Sequence, residues 1–409
     1  MIIEKISYKD GDINDFVADV ILMEAKRAVQ ENSYGVGGAL LDIENGKVIK
    51  TMHNQVIANK TSDEKSRLQD PTAHGERQLV DWYFENRYQL KLPEPEQILV
   101  VTTLDPCLMC TGSILSAGFK VIVVALDDHA GINWDASYTF KPLEGVVQEE
   151  AKENFIYPAV EGDSSRTGYG NVLIFGNKTL NQTMTNQCLA AFNEGANKAR
   201  GIVKDEIPVV ELKDISIEMP ADIVKVLTEA YPKALSYKTA SGTSIPDEGL
   251  AQILIEEANL DRQYGGDGDA VAFIDIFGNL LMCQGGKKAV SPIQSAFMRT
   301  ARAYQKVRYE LTDKSNDALY YLCDPSQGTF VFVRGFDKSA QSFADLGAYG
   351  STMLNPPGEH NLQYIMPRIS HEELLSYIAG MPERYSKIIK PELVENEVLR
   401  KLVEKGLED

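Results

Sequence analysis

Cysteine, histidine and tryptophan are scarce in this chain, which has only five, five and two of them among 409 residues. Five cysteines are too few for the disulfide framework of a secreted protein, and the length is enough for two or three domains. No apolar run approaches the roughly 18 residues of a transmembrane helix. Residues 1–5 lack the basic start and long apolar stretch of a signal peptide. We therefore expect a cytoplasmic protein that does not span a membrane.

Basic residues are also fewer than acidic ones in this chain. Lys and Arg number 41 against 59 Asp and Glu, which gives a formal net charge of −18. Such a surface repels a phosphate backbone unless basic residues gather on one face. Arg299, Arg302 and Lys306 are spaced as on one helical stripe, and such a stripe is more typical of a solvated helix face than of a binding surface. The sequence therefore does not favour a nucleic acid partner.

The few histidines and cysteines include one informative pattern. His74 precedes Glu76 by two residues, and Pro106 is followed by Cys107 and Cys110. One imidazole and two thiols make three zinc ligands, and a zinc ion with three protein ligands keeps a fourth position for water. Glu76 is close enough to His74 in sequence to exchange protons with that water. The pattern predicts a catalytic zinc site in which Glu76 is the acid and base.

The spacing around the cysteines has a structural reason. Asp105 suits the N-cap of a helix and Pro106 suits its first position, so Cys107 and Cys110 would fall on the first turn. Residues three apart share a helix face, and the positive end of the helix favours thiolate over thiol. We therefore predict a helix from 106 to about 118 that presents both sulfurs on one face.

The pattern has two alternative interpretations, a structural zinc finger and a redox pair of cysteines. A finger needs a fourth ligand, but Cys188, Cys283 and Cys323 are isolated along the chain. A redox pair would leave His74 and Glu76 without a role. The pattern therefore favours the catalytic zinc site over both.

Hydrophobic periodicity places this pattern in an α/β fold. Asn45 and Gly46 lie between two apolar runs, which is typical of a β-hairpin. Helices separate the strands that follow, so those strands should be parallel. The predicted elements are a helix at 13–32, hairpin strands at 37–43 and 47–49, a helix carrying His74, and strands at 98–101 and 121–126 with the cysteine helix between them. This order of elements predicts a three-layer α/β/α sandwich.

The second half resembles the first in altered form. Residues 40–43 align with 273–276, and residues 104–107 align with 323–326. In this alignment Pro292, Ser326 and Thr329 stand where His74, Cys107 and Cys110 stand in the first half. These residues cannot hold zinc as His and Cys do. We predict domains at 1–205 and 206–409, the second lacking zinc ligands, with chance similarity as the alternative.

Residues 13 to about 140 resemble the cytidine deaminase-like superfamily. The run 70–74, Asp-Pro-Thr-Ala-His, is similar to that of bacterial guanine deaminases and tRNA adenosine deaminases. The runs 74–76 and 106–112, and His53 with Asn54, resemble yeast-type cytosine deaminases. The resemblance implies the cytidine deaminase fold, zinc as cofactor, and a second half that is a degenerate copy in the place of a partner subunit. It also implies base contacts by Asn54 and, more remotely, by Asp135.

The activity implied by this resemblance is hydrolytic deamination of a free nucleobase or nucleoside, of the guanine and adenine type or the cytosine and cytidine type. Zinc-bound hydroxide would attack the amidine carbon, and Glu76 would move the protons and help ammonia to leave. A second hypothesis is a tRNA- or nucleic-acid-directed deaminase that docks through its C-terminal domain. A third is a non-enzymatic zinc-binding interaction module, for which Glu76 would have no use.

Overall fold

The computed structural model describes residues 7–59, 66–171, 174–202, 207–314 and 317–408. The chain divides into two compact units. The first consists of Met1–Asn59, Ala73–Ile202 and Lys338–Gly347, and the second of Lys60–Thr72, Val203–Asp337 and Ala348–Asp409. Each unit therefore includes a segment from the other half of the sequence. The predicted boundary at 205–206 falls outside the described residues.

The elements of the N-terminal half follow the predicted order of helix, hairpin, helix, strand, helix and strand. A π-helical turn, Val17–Ile21, joins the first two helices into one run. The elements are α1 Ile13–Phe16, α2 Leu22–Gln30, β1 Gly37–Asp42, β2 Val48–His53, β3 Ile57–Asn59, β4 Ser66–Leu68, α3 Gly75–Leu90, β5 Ile98–Leu104, α4 Leu108–Ala117, β6 Lys120–Ala125, α5 Gly145–Asn154, β7 Phe155–Ile156 and α6 Gln182–Ile202.

The first unit contains a five-stranded sheet in the order β2-β1-β5-β6-β7. The β1–β2 and β1–β5 pairs are antiparallel, whereas β5–β6 and β6–β7 are parallel, as their helical crossovers require. Alternate strand residues such as Leu41, Leu99 and Ile122 join α1, α2 and α6 in one hydrophobic core. Helix α3 packs on β1 and β2 and against α4. This arrangement confirms the predicted three-layer sandwich.

The hairpin between β1 and β2 shows why the sequence turns there. Asp42 Oδ1 accepts a hydrogen bond from the Glu44 amide at 2.8 Å, and Asp42 O accepts one from the Gly46 amide at 2.8 Å. Gly46 has φ +66°, a left-handed conformation that glycine adopts without a steric penalty. The Asn-Gly signal therefore identified the turn correctly.

The segment Lys338–Gly347 packs in the first unit although it lies far along the sequence. It contains the first part of α12, which faces α4. A Cβ added to Gly112 on α4 would lie 2.4 Å from the Ala344 nitrogen, and one added to Gly347 would lie 2.0 Å from the Met109 nitrogen. Glycines at both positions let the two backbones come close together.

The remaining elements follow in the second half of the chain. They are α7 Ile215–Glu218, α8 Ala221–Ala230, α9 Ala251–Gln263, β8 Ala270–Ile274, β9 Leu280–Gly285, α10 Ala296–Lys314, α11 Ala318–Tyr321, β10 Thr329–Arg334, α12 Ala340–Thr352, β11 Leu362–Met366, α13 His371–Ala379, α14 Glu383–Ser386, β12 Pro391–Leu393 and α15 Glu397–Glu408. None of the helices in the described part of the chain is long and apolar enough to cross a membrane.

The second unit repeats the sheet of the first. Its strands lie in the order β9-β8-β10-β11-β12, with β8 antiparallel to β9 and β10, and β11 parallel to β10 and β12. The register of the first hairpin shifts between Leu40 and Leu41, and that of the second shifts between Phe273 and Ile274. The alignment of residues 40–43 with 273–276 predicted this equivalence, and the shared topology supports the predicted repeat.

The predicted counterparts of the two cysteines are wrong. Ser326 lies in a 3-10 turn, Pro325–Gln327, that precedes β10, whereas Cys107 follows β5. The corresponding turn of the first unit is Pro95–Gln97, directly before β5. The Asp-Pro dipeptide occurs at the opposite end of the strand in each half, so a match of a few letters misled the alignment.

Strand register gives the corrected equivalences. Val100 pairs with Leu40 as Phe330 pairs with Phe273, and counting onward from these pairs places Asp337 level with Cys107 and Ala340 level with Cys110. In this count α12 begins two residues later than α4, so the helix starts would instead match Cys107 with Ser339 and Cys110 with Ser342.

The counterpart of the histidine also changes. Ser295 directly precedes α10 as His74 precedes α3, so Ser295 rather than Pro292 occupies that position. Because the corrected set of Ser295, Asp337 and Ala340 contains no thiol and no imidazole, it does not offer the donors of the first unit.

Candidate metal centre

The candidate metal ligands lie at the starts of two helices. His74 is the N-cap residue of α3, and Cys107 is the N-cap residue of α4. Cys110 follows in the first turn of α4, as predicted. The predicted N-cap role of Asp105 is wrong, because the helix begins two residues later than expected. Cys107 nevertheless lies at the positive end of the helix, where a thiolate is favoured.

The three candidate ligands meet in space. The Sγ atoms of Cys107 and Cys110 lie 3.5 Å and 3.6 Å from His74 Nδ1. In a tetrahedral zinc site with bonds of about 2.3 Å to sulfur and about 2.0 Å to nitrogen, these atoms would stand about 3.5 Å apart. The ligand atoms all lie within 4.8 Å of one another, the one such group found in the described part of the chain. The geometry and the donor types therefore fit zinc with one position left open.

The thiols differ in their electrostatic environment. A hydrogen bond from Cys110 holds the pKa of Cys107 well below its usual range, although burial acts against this, and His74 adds to the lowering. Burial raises the pKa of Cys110. The Cys107 position thus favours the thiolate that a metal requires.

Glu76 is buried beside this group. Its Oε1 accepts a hydrogen bond from Thr102 Oγ1 at 2.8 Å, and its Oε2 lies 3.5 Å from Cys110 Sγ. Burial, with the nearby Cys107, raises the pKa of Glu76. Thr102 on β5 therefore fixes one carboxylate oxygen and leaves the other facing the candidate ligands.

The candidate base contact Asn54 follows directly after β2. Its Oδ1 accepts a hydrogen bond from the Gly75 amide at 2.7 Å, at the start of α3. Its Nδ2 donates to no protein group among the described residues. The resemblance implied a base contact by Asn54, and its oxygen is already used by the start of α3. The donor is left for a ligand.

Gln78 is a residue that the motif analysis missed. Its Nε2 donates to His53 O at 2.9 Å and to Ala73 O at 3.0 Å. Gln78 therefore links, through two hydrogen bonds, the carbonyl group directly before Asn54 and the carbonyl group directly before His74. Its position four residues after His74, on the same face of α3, was the available signal.

His53 also has partners that its sequence context did not reveal. Its Nδ1 lies 2.6 Å from Glu24 Oε2 and its Nε2 lies 3.0 Å from Glu31 Oε2. Burial alone would lower the pKa of His53, but these hydrogen bonds outweigh it and the pKa stands above its usual range. Burial likewise opposes ionisation of Glu24, yet its bonds to His53 and Thr51 bring its pKa below the usual range. The two residues form a buried ion pair beside β2.

Asp135, the other candidate base contact, is already engaged. One of its carboxylate oxygens accepts from the Ser137 amide at 3.1 Å, and the other is paired with Lys141. The contacts found among the described residues do not join it to His74 or to the cysteines. Its role in binding a base stays a prediction.

Asp105 has a different role from the predicted N-cap. Its Oδ2 accepts from the Asn133 amide at 2.9 Å and its Oδ1 accepts from the Tyr157 hydroxyl at 2.8 Å. Burial raises the pKa of this carboxyl to about 7, against the lowering by these two hydrogen bonds. Tyr157 carries no motif signal, because it lies 52 residues from Asp105 in the sequence.

Comparison with known families identifies the part of the chain that carries this site. Residues 13–126 match the family model described as the cytidine and deoxycytidylate deaminase zinc-binding region. A cytosine deaminase of Candida albicans is 31% identical over 105 residues, which cover 26% of this chain and 61% of that protein. The match thus spans less than two thirds of the length of the relative. Residues 13–126 are thus similar to the zinc-binding region of cytidine and deoxycytidylate deaminases, which supports the resemblance found in the sequence.

Solved structures similar to this chain include a guanine deaminase from Nitrosomonas europaea, at 12% identity and a TM-score of 0.29, covering 47% of this chain and 89% of that one. A structure from a study of tRNA:A34 deaminases matches at 23% identity and a TM-score of 0.22, covering 29% and 81%. The fold of the first unit is defined by the strand order of its sheet.

Proposed function

We propose that this protein is a zinc-dependent hydrolase that removes an amino group from a free nucleobase or nucleoside, of the guanine and adenine type or the cytosine and cytidine type. The observation that carries the proposal is the position of Glu76. Its carboxyl is buried, and its Oε2 lies 3.5 Å from Cys110 Sγ, within the group formed with His74 and Cys107. A purely structural zinc site has no use for such a carboxylate.

His74, Cys107 and Cys110 would hold the metal, and zinc at this position supplies Lewis acidity that makes a water molecule reactive at neutral pH. Glu76 Oε2 takes the proton of the attacking water and gives it to a ring nitrogen of the base. The same carboxylate then takes the proton of the newly attached hydroxyl group and gives it to the departing amine, which leaves as ammonia. Overall, a carbon–nitrogen bond is exchanged for a carbon–oxygen bond, and water and the amino group become a carbonyl and ammonia.

The remaining residues orient the base in this proposal. Asn54 Nδ2 donates to an acceptor on the base edge, while Asn54 Oδ1 stays on the Gly75 amide. Thr102 keeps Glu76 Oε1 in place so that Oε2 moves the protons. Asp135 would need to give up its pairing with Lys141 to bind a base, which makes it the weaker contact.

The charge distribution supports a small molecule rather than a nucleic acid as the substrate. Arg302 of the basic stripe lies 3.4 Å from Asp70, and Lys306 lies 3.8 Å from Glu310. Arg299 donates to the Gly285 carbonyl. These three cations therefore have partners within the protein, and the net charge of the chain is −18.

We also propose that the second unit is a degenerate copy of a deaminase domain. Its support is the repeated strand order and the matching shift of register in the two hairpins. Because the one group of suitable metal ligands found among the described residues lies in the first unit, the second unit is expected to hold no zinc.

Ammonia release tests the proposed activity directly. The purified protein is incubated with cytosine, guanine, adenine and their nucleosides, and ammonia is measured with a coupled assay. We expect release from at least one compound and none from a folded RNA. Release from RNA alone would favour the nucleic-acid-directed alternative, and zinc binding without release from any compound would favour the non-enzymatic one.

A further inference from the structure

We propose that Tyr157 is a positioning residue of the candidate site, acting through Asp105 to hold the backbone that carries Cys107. This inference rests on the proposed function, since it assigns Tyr157 to the same site. Tyr157 touches none of the candidate ligands in the contacts found among the described residues. It binds instead the carboxylate two residues before Cys107.

The first step of the argument is the burial of Asp105. The carboxylate is 2% exposed and accepts hydrogen bonds from the Asn133 amide and the Tyr157 hydroxyl. A buried carboxylate that loses a hydrogen-bond donor must find another one or move towards water. Because Pro106 follows directly, a movement of Asp105 is passed to Cys107 over one rigid residue.

The second step is the close passage of a loop over the same carboxylate. A Cβ added to Gly131 would lie 2.3 Å from Asp105 Oδ2, so only glycine fits there. Gly131 forms a β-bridge with Cys107, and the Ile132 amide donates to Pro106 O at 2.9 Å. The position of Asp105 therefore also sets the position of the loop beside Cys107.

The third step is the rigidity of Tyr157 itself. Its amide donates to Tyr169 O at 2.8 Å, and the Tyr169 amide donates back to Tyr157 O at 2.7 Å. Its hydroxyl accepts from Asn133 Nδ2 at 2.5 Å while donating to Asp105. The ring is fully buried, with the Tyr138 ring centroid 4.9 Å away. Tyr157 is thus a fixed point that joins Asp105 to Asn133.

These contacts give Tyr157 a specific role. Its hydroxyl holds Asp105 in the orientation that keeps Cys107 Sγ facing His74, and it holds Asn133 in the loop that leads to Asp135. Partners one contact removed from metal ligands commonly change metal affinity or activity by about 10- to 100-fold when they are lost. We expect an effect of that size at Tyr157.

Tyr157→Phe tests this role because it removes the hydroxyl and keeps the ring. The matched control is Tyr169→Phe, which removes a hydroxyl of the same aromatic cluster; among the described residues this hydroxyl donates to Lys152 O alone, at 3.0 Å. We measure kcat and KM on the base that the unaltered protein deaminates fastest, the rate of zinc loss to EDTA, and the melting temperature. Tyr157→Phe should lower kcat/KM about 10- to 100-fold, mainly in kcat, and should release zinc faster than the unaltered protein. Tyr169→Phe should leave both within about twofold.

Equal kinetic constants and equal zinc-loss rates for the two variants would overturn the proposal, even if both lowered the melting temperature. If Tyr157→Phe does not fold, Asn133→Ala serves instead, because it removes Nδ2 from the Tyr157 hydroxyl and keeps the amide that Asp105 binds. It should shift both readouts in the same direction, and unchanged readouts would contradict the role. If the unaltered protein deaminates no base, the proposed function is wrong. The zinc-loss rate alone then tests whether Tyr157 is a positioning residue.

Discussion

Cys107 Sγ lies 3.5 Å from His74 Nδ1 although 33 residues separate them, and each of the two is the N-cap residue of its own helix. The two helix starts therefore converge on one point. Their positive ends favour the anionic ligand that zinc needs, and β5, the central strand of the sheet, carries Glu76's partner Thr102. The site is built from helix ends and strand ends rather than from a mobile loop.

The metal stoichiometry follows from this geometry. The purified protein should contain one zinc per chain, because one group of suitable ligands occurs in the described part of the chain. Cys107→Ser should abolish stable zinc binding, while Cys188→Ala should keep it, since Cys188 lies buried in the hydrophobic core. Elemental analysis after gel filtration measures both. Two zinc ions per chain, or zinc retained by Cys107→Ser, would refute the assignment.

Asn54→Asp removes the Nδ2 donor that we assign to base binding. The variant keeps an oxygen for the Gly75 amide but loses the Nδ2 donor, so folding should be preserved. A lost hydrogen bond of about 0.5–1.5 kcal/mol raises KM roughly 2- to 13-fold, and the added charge should raise it further. Asn193→Asp on the exposed face of α6 is the control. An unchanged KM would remove Asn54 from the base contacts.

The His53–Glu24 pair predicts a pH-dependent stability. The raised pKa of His53 contributes stability below its unfolded value of 6.5, and this is lost as the pH rises through the folded pKa. The lowered pKa of Glu24 contributes stability above 4.5, and this is lost as the pH falls. The pair should therefore stabilise the protein most between these two values.

Urea unfolding of His53→Gln tests this window. At pH 5.5 the variant should lose roughly 1.5–3 kcal/mol, the value of a hydrogen bond to a charged group, and the loss should shrink at pH 9. His129→Gln is the control, since His129 is exposed. A loss that does not change with pH would show that His53 contributes packing rather than charge.

The close packing of α4 on α12 gives a prediction about folding. Gly112→Ala places a Cβ 2.4 Å from the Ala344 nitrogen, and overpacking of this kind costs about 1–3 kcal/mol. Gly201→Ala on α6 is the matched control, because nothing lies within 4 Å of its added Cβ and alanine favours a helix. Chemical denaturation compares the two. If Gly112→Ala were as stable as Gly201→Ala, the segment Lys338–Gly347 would not pack on α4 as described.

Much of the first unit could be predicted from sequence because its signals are local. Asn45-Gly46 identified the hairpin, and apolar runs identified β5 and β6. The metal-ligand pattern is also local, since each short run fixes the residues that bind. These features depend on neighbours in the chain.

The errors come from contacts between distant residues. Asp105 looked like an N-cap, but Tyr157 and Asn133 hold its carboxylate instead. The alignment of residues 104–107 with 323–326 misplaced Ser326, because four matched residues do not show whether the segment precedes or follows a strand. His53 meets Glu24 because α2 packs against β2, and the residues next to His53 in the sequence do not show this contact. The role of the second unit and the identity of the base stay predictions for the same reason.

The most direct test of the central claim is Glu76→Gln measured for zinc content and for ammonia release together. The substitution removes the proton carrier and no candidate metal ligand, and it keeps an acceptor for Thr102. We predict one zinc per chain and a loss of turnover of about 10²- to 10⁴-fold or more, with Glu150→Gln, exposed on α5, unchanged. A Glu76→Gln protein that keeps zinc and full activity on a base deaminated by the unaltered protein would contradict the account.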